Sequence, residues 1–99
     1  EQKRIKREQA ERRNAIYKEL KPKKAEYGKC EQDLEQLLER SGELEALLAD
    51  PEVYADTNKS AAMLKEYKEL QDKSERLLES LGRLEEDITR LEDERASCS

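Results

Sequence analysis

The chain has 99 residues, 34% hydrophobic and 45% charged, with no Phe, Trp or His and a formal net charge of −5. So little apolar material excludes an ordinary compact core and leaves either disorder or thin helices burying one narrow stripe; periodic apolar residues decide for helices. With no His and two Cys a structural zinc site lacks its four ligands, and no apolar run approaches the roughly 18–20 residues of a membrane span. The charged start is unlike a signal peptide, so a cytoplasmic protein is expected, and because the chain opens on Glu1 without Met, a segment of a longer protein is expected too.

The first predicted element is a helix over about residues 2–49. Its opening is basic: residues 1–24 hold ten Lys and Arg against four Glu, a net of +6, whereas residues 25–99 hold ten against twenty-one acids, a net of −11. From residue 16 the apolar positions Ile16, Leu20, Tyr27, Cys30, Leu34, Leu37, Leu44 and Leu48 fall three and four apart, interrupted by Lys23 and Ser41. That alternation is a heptad seam. Pro22 conflicts with it, since an interior proline costs about 3 kcal/mol and kinks or ends a helix. Either outcome fits the sequence, and pairing at Ile16 and Leu20 favours a kinked helix that resumes. Gly28, Gly42 and Gly82 weaken their helices without an evident role.

A turn is predicted over about residues 50–58. Pro51 suits a first helical position with Asp50 as its cap, giving a short helical turn to Tyr54, after which Asp56, Thr57 or Asn58 caps the next helix. That second long helix, about 58–96, carries a seam through Met63, Tyr67, Leu70, Ser74, Leu77, Leu81, Leu84, Ile88 and Leu91. If the chain reverses near Tyr54, opposed residues have numbers adding to about 108. Leu37 then meets Leu70, Leu20 meets Ile88 and Ile16 meets Leu91, while Ser41 and Ser74 each face a larger residue, as close packing requires. This register also sets the basic start beside Glu85, Glu86, Asp87, Glu92, Asp93 and Glu94. Exposed pairs are worth only about 0–1 kcal/mol, so charge selects orientation more than it stabilises. Cys30 and Cys98 lie about twenty residues apart along such a rod, on the order of 30 Å, too far for a disulfide. Cys30 is expected as a reduced buried thiol and Cys98 as a free tail thiol.

The expected fold class is therefore all-α: a single long two-helix antiparallel coiled-coil hairpin over residues 1–99 with a short helical turn at the tip. No nucleotide loop, metal cluster or nucleophile with a base is present, and carboxylates on a solvated helix face have nothing to perturb their pKa. The segment is read as no enzyme, without catalytic or metal residues and without a cofactor of its own. Ten cations, Lys3, Arg4, Lys6, Arg7, Arg12, Arg13, Lys18, Lys21, Lys23 and Lys24, are the candidate nucleic-acid contacts, giving salt-sensitive, sequence-independent binding to phosphates. The same cations could instead pair with the acidic end of helix two, and the sequence leaves both readings open. Tyr27 and Tyr67 are expected in the core, and Tyr17 or Tyr54 could stack on bases.

The stretch Leu44-Glu45-Ala46-Leu47-Leu48-Ala49-Asp50-Pro51-Glu52-Val53-Tyr54-Ala55-Asp56, with Leu64-Lys65-Glu66-Tyr67-Lys68-Glu69-Leu70 after it, resembles the C-terminal domain of ABC-F ATPases, the Uup-like soluble ABC proteins. Arg13 to Lys24, with its proline, is similar to that family's first helix. The resemblance implies a parent with two ATP-binding cassettes, hence ATP and Mg in other domains, no membrane domain, and this hairpin after the second cassette. It further implies association with DNA, or with the ribosome and its RNA. Relatives often carry Trp near the end of helix two, where this chain has Leu81-Gly82-Arg83-Leu84.

An accessory nucleic-acid-binding hairpin is thus the leading expectation, with the isolated segment a monomer. The alternative is a structural module that docks on its own ATPase cassettes or dimerises, using Leu38, Leu47, Leu64 and Leu78 beside the seam. A synthetase-type RNA-binding arm has similar architecture.

Overall fold

The computed structural model describes residues 1–98, and the chain is an all-α helical hairpin. Helix α1 runs Gln2–Leu48, α2 is the short Pro51–Ala55, and α3 runs Thr57–Ser97. The chain divides into two compact units. A turn unit spans Cys30–Ser80, and a terminal unit joins Glu1–Lys29 to the chain from Leu81 onward.

Two aspartates make the turn. As α1 ends, the Asp50 amide bonds the Leu47 carbonyl at 3.1 Å. Asp50 then takes an extended backbone, φ −75° and ψ 119°, and its carboxylate accepts the Glu52 amide at 3.0 Å with Pro51 in the first turn of α2. Proline costs nothing there because its missing N–H would have had no helical partner. Asp56 serves both neighbours. Its amide bonds the Val53 carbonyl at 3.1 Å to close α2, and its Oδ1 accepts the Lys59 amide at 3.1 Å to open α3. Replacing a capping Asp by Ala costs about 1 kcal/mol. Asp56→Ala is therefore expected to lower the unfolding free energy obtained from urea titration by about 1 kcal/mol, whereas Asp56→Asn, which can still accept the bond, changes it by only a few tenths of a kcal/mol.

The seam is what the two long helices bury. In the turn unit Leu44 is fully buried, with Leu70, Ser60 and Ser74 also buried and Leu34, Leu37, Met63, Tyr67 and Leu77 half-buried. Ser74 is satisfied inside the seam because its hydroxyl donates to the Leu70 carbonyl at 2.8 Å. In the terminal unit Ile16, Leu20, Leu91 and Cys98 form one cluster with Ile88 packed against it, and Leu81 and Leu84 are also buried. These partners fit the antiparallel register near 108.

Helix α1 passes through Pro22 without a break. Pro22 is exposed, as is Lys18, whose carbonyl loses its amide partner, so water can serve that oxygen. The cysteines differ from expectation. Both are free, but Cys98 is buried and Cys30 only half-buried. Cys98 stands seven residues after Leu91 and fourteen after Leu84, so it continues the seam, and its thiol donates to the Glu94 carbonyl at 3.2 Å.

Candidate nucleic-acid interface

The ten candidate cations all belong to α1 in the terminal unit, and their surroundings separate them. Lys23 and Lys24 reach across to α3. Lys23 Nζ lies 3.2 Å from Asp87 and Lys24 Nζ lies 2.8 Å from Glu92. Lys23 is half-buried because it replaces an apolar residue on the seam, which brings its ammonium against Asp87. Arg4 sits between Glu1 and Glu8 at 3.7 and 3.8 Å. These three are partly neutralised.

The others are available to solvent in different degrees. Arg13 is half-buried one turn before Ile16, while Lys3, Lys6, Arg7, Arg12, Lys18 and Lys21 are exposed. Among the described residues none of these seven has an acidic partner within ion-pair distance. Lys3, Arg7, Asn14, Lys18 and Lys21 recur at steps of four, seven, four and three, which puts them on one helix face. Lys18 is two residues from both Ile16 and Leu20 and so faces away from the seam. Lys6 lies beside that face, whereas Arg12 falls on the opposite side of the helix. The stripe from Lys3 to Lys21 is about 27 Å long at 1.5 Å per residue, enough to follow several phosphates, which recur about every 3.4 Å of duplex axis on each strand.

The two candidate stacking tyrosines are placed differently. Arg95 covers the Tyr17 ring, 5.2 Å from its centroid, a cation–π contact that occupies one face. Tyr54 is 65% exposed but stands among Asp50, Glu52 and Asp56, acids that repel phosphate. Tyr27 and Tyr67 are half-buried on the seam.

The turn unit has the opposite electrostatics. Its residues 30–80 include fourteen Asp and Glu against six Lys and Arg, a net of −8. Arg40 forms a two-pronged contact with Glu66, at 2.8 and 3.1 Å, and also meets Glu43 at 3.0 Å. The Arg40 bond holds the Glu66 carboxyl below its usual range and the Glu66 bond raises Arg40. The Tyr67 hydroxyl donates to Glu45 at 2.6 Å, which pushes the phenol up because ionisation would forfeit that bond.

Among the described residues no group of three or more His, Cys, Asp and Glu could hold a metal, and no helix is long and apolar enough to cross a membrane. The family model described as ABC transporter C-terminal domain matches residues 17–86, a span that includes Pro22, the turn and Lys18 to Lys24 but begins after Arg13. No curated protein and no solved structure matches the chain.

Proposed function

The chain belongs to the ABC transporter C-terminal domain family, and from that premise we propose that it is a non-catalytic appendage that holds nucleic acid against the outer face of α1. The observation that supports this reading is the stripe of Lys3, Arg7, Lys18 and Lys21, exposed and, among the described residues, without acidic partners. In a chain of net charge −5, phosphate is drawn only where cations are left uncompensated, and that face is such a place. Lys23 and Lys24 then have a structural task, pinning α1 to α3, and are secondary for binding. The parent would be a cytoplasmic ABC-F protein whose cassettes, elsewhere in the polypeptide, bind ATP and Mg. A docking role on those cassettes is the second reading, favoured by family membership itself.

Four phosphate contacts give a slope of log affinity against log salt of about −4, since each contributes roughly −0.9. Affinity for labelled DNA or RNA is therefore expected to fall about 100-fold between roughly 50 and 200 mM salt. Changing Lys3, Arg7, Lys18 and Lys21 together to Gln should abolish most of that binding and flatten the slope. The four side chains are exposed, so circular dichroism should report an unchanged fold. Equal affinity of the quadruple variant, or no binding by the parent sequence at low salt, would reject the proposal and favour the docking role.

A further inference from the structure

One layer of the seam in the terminal unit holds two cations and no free acid to match them. Arg13 stands three residues before Ile16 and Arg95 four after Leu91, so both continue the seam, and their numbers add to 108, the register in which opposed residues meet. Together with Glu92 and Ala96 they line one depression of about 380 Å³. Glu92 is already held by Lys24 at 2.8 Å. Among the described residues neither Arg13 nor Arg95 has an acidic partner within ion-pair distance. Lys23 shows the ordinary arrangement, since the same helix pair sets Asp87 3.2 Å from that seam cation. Two like charges in one layer repel, and only one of them is eased locally. Arg95 lies in the last turn of α3, where the helix dipole favours a cation, and it rests 5.2 Å from the centre of the Tyr17 ring. Neither support reaches Arg13, which is half-buried.

We infer that Arg13 and Arg95 clamp a phosphate group between the two helices, supplied by a nucleic-acid strand that follows the basic stripe of α1. The planar fork of arginine matches phosphate oxygens two at a time, and one anion offsets both charges at once. Tyr17 sets the clamp beside the stripe. It is four residues after Arg13, three after Asn14 and four before Lys21, spacings that make all of them neighbours on the helix surface. Through its contact with that ring, Arg95 brings to the stripe a cation from α3 that the basic opening of α1 does not contain. The clamp rests on the two arginines alone, whereas the choice of nucleic acid as the source of the phosphate rests on the function proposed above.

Magnetic resonance of the arginine Nε–H groups tests the clamp in the whole chain. As inorganic phosphate replaces chloride at constant ionic strength, the Arg13 and Arg95 signals should shift together and saturate, while that of Arg83 should not. Arg95→Gln should remove the shift at Arg13. With labelled DNA or RNA the same variant should bind roughly tenfold more weakly and lose about 1 from the salt slope. Arg95→Lys keeps the charge without the fork and should recover only part of the affinity. Arg95 is exposed, so circular dichroism should report an unchanged fold in both variants. No saturable shift at the pair, or an Arg13 shift that persists in Arg95→Gln, would overturn the clamp. A clamp that takes inorganic phosphate while the salt slope ignores Arg95→Gln would overturn nucleic acid as the source and leave free phosphate as the ligand. The quadruple variant of Lys3, Arg7, Lys18 and Lys21 keeps both arginines, so its phosphate titration decides on the clamp even where the stripe itself is rejected.

Discussion

Leu44→Ala should lower the stability of the turn unit by about 2–5 kcal/mol, the usual cost of emptying a buried leucine site. The size follows from where Leu44 sits. It is 0% exposed although only two helices are available to cover it, and the flanking layer toward Leu37 contains the small Ser41. With only two helices around it, little side-chain volume is at hand to fill the new void, which puts the cost toward the upper part of that range. Domain stabilities are about 5–15 kcal/mol in total, so this one change removes a large fraction. Urea unfolding followed by circular dichroism should show the loss, and hydrogen exchange should show amides of residues 30–80 opening more often. Leu38→Ala is the control. With 56% of its surface already exposed, it should cost well under half as much. Equal costs at the two positions would mean that the seam does not carry the energy of the pair.

Much of this distinction was readable from spacing alone. Every seam position named from Ile16 to Leu48 and from Met63 to Leu91 is buried or half-buried, and Leu38, Leu47, Leu64 and Leu78 beside it are exposed. A heptad pattern specifies which face of a helix turns inward, so burial follows from it directly. The Asp50-Pro51 signal also located the first cap, because capping depends on a residue and its nearest amides. The second was narrowed only to Asp56, Thr57 or Asn58, of which Asp56 accepts the Lys59 amide. Cys98 was misread for lack of one more heptad step: Leu84, Leu91 and Cys98 share a spacing, but a residue next to the chain end was treated as tail. That Arg40 reaches Glu66 rather than another acid was not legible. The basic segment was legible in composition only. Which cations remain uncompensated required the positions of Asp87 and Glu92 on the facing helix.

Replacing Pro22 by alanine should raise stability by about 2–3 kcal/mol, close to the intrinsic difference between the two residues inside a helix. Proline normally kinks or ends a helix by removing the amide that would bond four residues back and by crowding that carbonyl. Here α1 continues, and its surroundings explain why. Leu20, two residues earlier, is 1% exposed in the cluster with Ile16 and Leu91, and Lys23 and Lys24, immediately after, are tied to Asp87 and Glu92. Packing at Leu20 before the proline and at the half-buried Tyr27 and Cys30 after it holds the helix against a local preference to stop, with the ion pairs adding at most about 1 kcal/mol each. Alanine removes that opposition and restores the bond to the Lys18 carbonyl. Part of the gain is offset because alanine leaves the unfolded chain freer than proline does. A gain of this size corresponds to a rise of roughly 10–20 °C in Tm for a chain of this length, measurable by thermal circular dichroism. An unchanged or lower Tm would show that the fold uses the local backbone geometry proline sets at this position.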